Sequence, residues 1–184
     1  MRIIAGRLKG RRLKAPEGLD VRPTSDRLRE TLFNVLADRV DGARVLDAFA
    51  GTGALGLEAL SRGAASIVFV EPNDRALRTL GENVEQLGGG DACVIIRGDF
   101  RTVRVAPASF DLILLDPPYR IPDLDAVTAR ASELLGEGGR LVLEHGRRHA
   151  SPEQAGRLMR YRVLVAGDSA LSFYALPAAE AVQV

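Results

Sequence analysis

The chain has 184 residues, of which 46% are apolar and 27% are charged, and its formal net charge is +1. This length and composition predict one globular domain with its own hydrophobic core. We expect no membrane span, because no apolar run reaches about 18 residues, and no secretory leader, so the expected location is the cytoplasm. One cysteine, Cys93, excludes a disulfide within the chain, and with only two histidines a metal site is not expected.

The positive charge is concentrated at the amino terminus. The first 14 residues contain six cations and no acidic residue, so the rest of the chain is net acidic. A basic arm on an acidic body predicts a polyanionic partner, because clustered cations release condensed counterions from phosphates. A solvated terminus is the alternative interpretation. The predicted phosphate contacts of this arm are Arg2, Arg7, Lys9, Arg11, Arg12 and Lys14.

The segment after the arm predicts a helix. Pro23 stops the preceding segment, and Thr24 or Ser25 can accept a hydrogen bond from a free N–H of the first helical turn. Apolar residues then recur at helical spacing on one face: Leu28, Leu32, Val35 and Leu36. Another face can reach a ligand or remain in water, and it carries Arg27, Glu30 and Asn34.

From residue 44 onward, short apolar runs alternate with segments of helical length, a pattern typical of a parallel sheet covered on both faces. The predicted strands are 45–49, 67–71, 94–96, 110–115 and 141–143, and the predicted helices are 54–61, 74–87 and 124–135. The runs 162–165 and 171–176 are separated by only a few residues, which predicts a β-hairpin. The sequence therefore predicts a doubly wound α/β fold with a mostly parallel, seven-stranded sheet and a C-terminal antiparallel hairpin.

A glycine-rich loop follows the first predicted strand and matches G-x-G-x-x-G at Gly51, Gly53 and Gly56. Such glycines allow a tight turn and a close approach of the backbone to a ligand at a helix N-terminus. Glu71 ends the second strand, where a carboxylate can accept hydrogen bonds from both ribose hydroxyls of a nucleotide. Asp47 would repel the pyrophosphate of NAD but suits the cationic amino-acid end of S-adenosylmethionine, so we expect S-adenosylmethionine as the cofactor.

Asp99 and Phe100 follow the third strand, where the base of a bound nucleotide is expected. Asp99 could accept from the adenine amino group, and Phe100 could pack on its ring; turn chemistry and core packing are the alternatives. The predicted cofactor contacts are Asp47, Phe49, Gly51, Thr52, Gly53, Glu71, Pro72, Asp99 and Phe100.

The tetrapeptide Asp116-Pro117-Pro118-Tyr119 directly follows the fourth strand. Two prolines stiffen the loop and remove two N–H donors, so it presents the Asp116 carboxylate and the Pro117 carbonyl as acceptors. These acceptors suit a planar exocyclic amine and would aim its lone pair at an electrophilic methyl group, while Tyr119 offers a flat face to an unstacked base. The residues alone leave adenine, guanine, cytosine and a glutamine amide open as acceptors.

The sequence resembles the amino-methyltransferases that use S-adenosylmethionine in four motifs: the loop 47–56, Glu71, Asp99 and the tetrapeptide. With the start 2–6, the segment 22–24 and the helix 27–34, nearly the whole chain is similar to the bacterial small-subunit ribosomal RNA guanine-N2 methyltransferases. The resemblance implies methylation of guanine N2 in 16S rRNA, within a partly assembled subunit, by a monomer. Arg22 and Arg27 border the entrance to the domain, and with Thr24 they are further expected RNA contacts. The expected division of the chain is an arm and helix (1–40) and a catalytic domain (41–184).

Other functions remain open from the sequence. A nicotinamide-dependent oxidoreductase would fit the glycines and Glu71 but not Asp47 and the tetrapeptide. A non-catalytic RNA-binding assembly factor would not need an intact Asp116, and a DNA adenine or cytosine methyltransferase would need a larger recognition region. We expect surface roles for His145 and His149 and a packing role for Cys93.

Overall fold

The computed structural model of the chain describes residues 1–15, 26–119 and 121–177. The strands in these ranges are β1 (Arg44–Asp47), β2 (Ser66–Glu71), β3 (Cys93–Arg97), β4 (Phe110–Leu115), β5 (Leu135–Gly146), β6 (Gln154–Ala155), β7 (Leu158–Ala166) and β8 (Ser169–Ala175). The α-helices are α1 (Asp26–Leu36), α2 (Ala54–Ser61), α3 (Asp74–Leu87) and α4 (Leu124–Leu134). Two single 3₁₀ turns occupy Ala37–Arg39 and Gly90–Ala92. None of the helices in the described ranges is long and apolar enough to cross a membrane.

The strands form one sheet in the order β3-β2-β1-β4-β5-β8-β7-β6. Strands β1 to β5 pair in parallel, whereas β8 is antiparallel to β5 and to β7. The predicted doubly wound sheet with an antiparallel C-terminal hairpin is therefore confirmed. The eighth strand is the two-residue β6 at the edge of β7, which is too short to produce a recognisable pattern in the sequence.

The sheet separates two apolar cores. One face packs against α1, α2 and α3 and buries residues such as Leu32, Leu57 and Leu80. The other face packs against α4 and buries Val127 and Ala131. Because both faces are covered, the central strands are apolar almost throughout, which is why they appear in the sequence as continuous rather than alternating runs.

Strand β5 is longer than the predicted run 141–143. It begins at Leu135, directly after α4, and its pairing with β4 changes register between Phe110 and Leu112. The early part of β5 contains three glycines, at 136, 138 and 139, and glycine is depleted in strands. Because glycine has a low strand propensity, the sequence pattern did not predict the first half of β5.

The N-terminal arm, residues 1–15, is docked on the domain. Arg2 and Arg12 form an antiparallel bridge, and Ile3 and Leu13 are buried in the same core as α1 and α2. The buried Glu58 of α2 accepts hydrogen bonds from the backbone N–H groups of Ile4 and Ala5, at 2.7 and 3.0 Å. The interpretation of this segment as a solvated terminus is therefore wrong, although its six cationic side chains are exposed. The predicted helix-start residues 22–25 lie outside the described residues.

Candidate active site

A cleft of about 1240 Å³ opens at the carboxyl ends of the parallel strands. Its walls come from the glycine-rich loop, the ends of β2, β4 and β5, the first turns of α1, and the β7–β8 hairpin. The predicted residues that line it are Asp47, Phe49, Gly51, Thr52, Glu71, Pro72, Asp116, Pro117, Pro118, Tyr119 and Arg27. The fold thus brings the glycine-rich loop and the tetrapeptide into one cavity, as the order of the motifs predicted.

The two left-handed glycines of the loop have different surroundings. Gly51 has φ 53° and nothing within 4 Å of where a Cβ would lie, so its backbone can meet a ligand. Gly53 has φ 84°, and a Cβ there would collide with Leu80 in the core. Gly53 does not line the cleft, and its structural role is to turn the backbone into α2.

Glu71 closes the loop from the end of β2. Its Oε2 accepts from the N–H of Gly51 and its Oε1 from the N–H of Asn73, both at 2.8 Å. A carboxylate oxygen has two lone pairs, so each can accept one further hydrogen bond. The Glu71 carboxylate is thereby held in place at the cleft wall with acceptor capacity for a pair of hydroxyl groups.

Asp47, at the end of β1, is buried with 1% of its surface exposed. Its Oδ2 accepts from the N–H of Gly56 at 2.9 Å, while its Oδ1 has no hydrogen-bond partner among the described residues. Burial raises the pKa of Asp47 to about 7; the Gly56 N–H opposes the rise, and the charges of Asp116 and Glu71 add to it. A buried carboxylate oxygen without a donor, at the wall of a cleft, is suited to a cationic ligand group.

Four acidic residues lie at or beside the carboxyl ends of four adjacent strands, in the order β2, β1, β4, β5: Glu71, Asp47, Asp116 and Glu144. Asp47 pairs with Leu114, and Leu115 pairs with Leu143, so Asp116 and Glu144 follow at neighbouring positions. Alternation along the strands places all four on the face of Leu114 and Val142, the α1–α3 face. All four line the cleft. Glu144 was not among the predicted site residues, although it follows an apolar run directly, as Asp116 does.

The tetrapeptide lies between this row and the β7–β8 hairpin. Pro117 is buried, Asp116 and Tyr119 are half-buried, and Pro118 is exposed. The Tyr119 hydroxyl forms a 2.7 Å hydrogen bond with the Ser169 hydroxyl at the start of β8. The hairpin was not predicted to be part of the site, yet residues 164–169 line the cleft.

Asp99 and Phe100 do not line the cleft. The Asp99 carboxylate pairs with the guanidinium of Arg101, and those hydrogen bonds hold the pKa of Asp99 below its usual value. Phe100 is buried, with its ring edge-on to Phe49 at a centroid distance of 5.7 Å. The roles of Asp99 and Phe100 toward a cofactor remain predictions.

The predicted RNA contacts lie along the arm and on α1. Arg11 donates to the backbone carbonyl of Gln86 at 2.8 Å, and Lys14 pairs with Glu82 at 2.7 Å, both on α3. Arg27 lines the cleft together with Met1 and Ala15, so the arm reaches the cleft edge. Arg22 and Thr24 lie outside the described residues.

One histidine expectation is wrong. His145 is buried, with its Nε2 2.9 Å from the Ser172 hydroxyl, and burial lowers its pKa. Ser172 in turn hydrogen-bonds Ser151 at 2.6 Å, so His145 belongs to an internal polar network rather than to the surface. His149 is exposed, and Cys93 is half-buried against the core, as expected.

The model of a protein family described as conserved hypothetical protein 95 matches residues 1–175. A Bacillus subtilis protein provisionally named rRNA methyltransferase YlbH is 38% identical over 180 residues, which cover 95% of this chain and 98% of that protein. The Escherichia coli ribosomal RNA small subunit methyltransferase D is 42% identical over 120 residues, which cover 65% of this chain and 61% of that protein.

Among solved structures, the Escherichia coli protein yhhF, provisionally assigned as a methyltransferase, superposes with a TM-score of 0.82 and 35% identity over 95% of this chain and 96% of that one. The Thermus thermophilus hypothetical protein TTHA0928 superposes with a TM-score of 0.76 and 34% identity over 94% of this chain and 98% of that one. The similarity therefore includes the arm, the cleft and the C-terminal hairpin.

Proposed function

The chain belongs to the conserved hypothetical protein 95 family, and we propose that it transfers a methyl group from S-adenosylmethionine to the N2 amine of a guanine in 16S ribosomal RNA. The observation that carries the proposal is the cleft itself. The tetrapeptide at the end of β4 opens into the same cavity as the glycine-rich loop and Glu71. The names of the similar curated proteins, which are methyltransferases, agree with this chemistry.

The half of the cleft beside β1 and β2 fits S-adenosylmethionine. The Glu71 carboxylate can accept from two ribose hydroxyls, and the open backbone of Gly51 allows close approach. Asp47 supplies a buried oxygen without a donor for the cationic amino-acid end, whereas a pyrophosphate there would be repelled. When bound, S-adenosylmethionine supplies an electrophilic methyl group on a sulfonium centre.

The half of the cleft beside β4 and β5 fits a planar amine. The Asp116 carboxylate and the Pro117 carbonyl accept from its two N–H groups, which aims the nitrogen lone pair toward the cofactor half. The negative charge of Asp116 also stabilises the positive charge that develops on the nitrogen. The alkylated amine is acidic, so its proton passes to water after transfer. Tyr119 provides the ring on which the base stacks.

The neighbouring carboxylates of Asp116 and Glu144 favour guanine among the possible bases. Guanine presents two adjacent donors, the N1–H and the N2 amine, whereas adenine and cytosine present an acceptor beside their amine. Glu144 lies near the carboxyl end of β5, at the position next to Asp116; it lines the cleft and is only 4% exposed. We assign the Asp116 carboxylate to the amine and the Glu144 carboxylate to the N1–H.

The arm favours RNA as the polymer that carries the base. Six exposed cations run from Arg2 to Lys14, and the arm reaches the cleft at Met1 and Ala15. The small ribosomal subunit in the name of the Escherichia coli relative supports 16S rRNA in particular. We further propose that a monomer in the cytoplasm acts on a partly assembled subunit.

The test is incubation of the protein with tritiated S-adenosylmethionine and small ribosomal subunits from a strain that lacks it, followed by nuclease digestion and nucleoside chromatography. We expect label in N2-methylguanosine. Label in another nucleoside would keep the methyl transfer and contradict guanine, whereas no label, with cofactor binding measured by calorimetry, would favour a non-catalytic RNA-binding factor. The Asp116→Ala variant should lose transfer while its affinity for S-adenosylmethionine is retained, and full turnover by this variant would contradict the proposed role of Asp116.

A further inference from the structure

A side-chain hydrogen bond joins the tetrapeptide to the C-terminal hairpin. The hydroxyls of Tyr119 and Ser169 lie 2.7 Å apart, although the residues are 50 positions apart in the chain. Ser169 is buried, with 6% of its surface exposed, and it opens β8, where it pairs with Gly146 of β5. A well-paired strand residue therefore holds the phenol hydroxyl of a loop residue.

The ring of Tyr119 is packed as well as tethered. Its centroid lies 6.4 Å from the His149 ring, at an interplanar angle of 40°. Gly146 lies beside both rings: a Cβ there would be 3.5 Å from Tyr119 Cδ2, which is ordinary contact, and 2.8 Å from Nδ1 of the exposed His149. The end of β5 supports the Tyr119 ring from one side, and the ring lines the cleft on another.

We propose that Ser169 is the positioning residue of the base pocket: its hydroxyl fixes the Tyr119 ring as a preformed stacking surface, which makes the β7–β8 hairpin part of the substrate site. A tyrosine ring in a loop can otherwise turn about two side-chain torsions. If the Tyr119 ring is held in place before the base binds, binding costs no loss of side-chain torsional freedom. The stacked base then keeps its amine in line with the methyl group of the cofactor. The inference rests on the proposed methyl transfer to a base.

A double-mutant cycle on the full-length protein tests the coupling. The readout is kcat/KM for methyl transfer to small ribosomal subunits, with the affinity for S-adenosylmethionine measured separately by calorimetry. One neutral hydrogen bond is involved, so Ser169→Ala and Tyr119→Phe should each lower kcat/KM roughly 3- to 10-fold. The double variant should be no slower than either single variant, and Ser169→Thr, which retains a hydroxyl, should recover most of the activity. None of these variants should change the cofactor affinity.

The control is Ser172→Ala, three residues further along β8. Ser172 is fully buried and hydrogen-bonded to His145 and Ser151, but it does not line the cleft. We expect this variant to lower the melting temperature without lowering kcat/KM. Independent, multiplying effects in the Ser169–Tyr119 cycle would overturn the inference, as would equal activity losses at Ser169 and Ser172. Absence of methyl transfer by the wild-type protein contradicts the proposed function itself, and is therefore distinguishable from both results.

Discussion

Asp47 should make the stability of the ligand-free protein fall as the pH rises. Its pKa is about 7 in the folded chain and 3.8 in an ordinary aspartate, so between these values the folded state holds one proton more than the unfolded state. The free energy of unfolding therefore decreases by about 1.4 kcal/mol per pH unit over this window, about 4 kcal/mol in all. Below the window both states are protonated, and above it both are ionised, so this contribution is constant on either side.

Asp47→Asn isolates that contribution. The amide oxygen can still accept from the Gly56 N–H, and the side chain cannot ionise. Its NH₂ group replaces the oxygen without a partner, which lowers stability by about 1–3 kcal/mol at every pH. The difference in unfolding free energy, variant minus wild type, should therefore rise by about 4 kcal/mol between pH 4 and pH 7.5 and be flat above that.

Urea unfolding followed by circular dichroism, at half-unit pH steps from 4 to 8.5, measures this difference directly. All the other ionisable groups are present in both proteins, so most of the remaining pH dependence cancels in the subtraction. Parallel curves of unfolding free energy against pH for the two proteins would refute the reasoning. They would mean that the pKa of Asp47 is the same in the folded and unfolded states.

The same carboxyl group links pH to cofactor binding. A cationic group beside Oδ1 favours the ionised form of the Asp47 carboxyl group, so binding of S-adenosylmethionine should release a proton. The affinity for S-adenosylmethionine should therefore decrease by up to about tenfold for each pH unit below 7. Calorimetry in two buffers of different ionisation enthalpy counts that proton. No released proton at pH 6 would contradict the assignment of Asp47 to the cationic end of the cofactor.

Two further predictions concern the RNA and the base. Replacing the exposed cations Arg7, Lys9 and Arg12 with alanine should weaken binding to small-subunit RNA. Because three phosphate contacts are lost, the slope of the logarithm of the binding constant against the logarithm of the salt concentration should decrease in magnitude by roughly two units. An unchanged slope in filter-binding titrations would contradict a role of the arm in RNA binding. Glu144→Gln should lower kcat/KM for methyl transfer by at least tenfold, because a charge-assisted hydrogen bond to the guanine N1–H is lost. The control variant Glu137→Gln, at the exposed end of the same strand, should leave kcat/KM unchanged. Equal rates for the two variants would contradict the role of Glu144.

The parts of the fold that could be predicted are those whose local and tertiary preferences agree. Helix α3 begins and ends where it was predicted because Asn73 caps its first turn, with its side chain accepting from Arg75 and Ala76, and Gly88 ends it in a left-handed conformation. The central strands were predicted because two-sided burial makes them continuously apolar. Strand β6 and the first half of β5 depend on pairing partners and not on their own composition, so the sequence carried little signal for them.

The candidate site follows the same division. The glycine-rich loop, Glu71 and Asp116 are recognisable because each lies directly beside a predictable element. Ser169 belongs to the site only through a contact with Tyr119 across the fold, and no local pattern indicates such a contact. His145 was assigned to the surface because the sequence showed no partner for it, but β5 continues past it, pairs it with Ala170 and places its ring against Ser172 in the interior.

The arm illustrates how one segment can carry two physical roles that the sequence does not separate. The charges of the arm predicted a contact with phosphates. The backbone of the arm is also connected to the glycine-rich loop through the fully buried Asn83 of α3. The Asn83 side chain accepts from the N–H of Lys14 at 2.8 Å and donates to the carbonyl of Thr52 at 3.0 Å. The same buried amide is therefore hydrogen-bonded to the arm through its oxygen and to the glycine-rich loop through its nitrogen. The basic arm is therefore connected to a loop that lines the cleft, and alanine substitutions of its exposed cations test its charge while leaving this backbone connection intact.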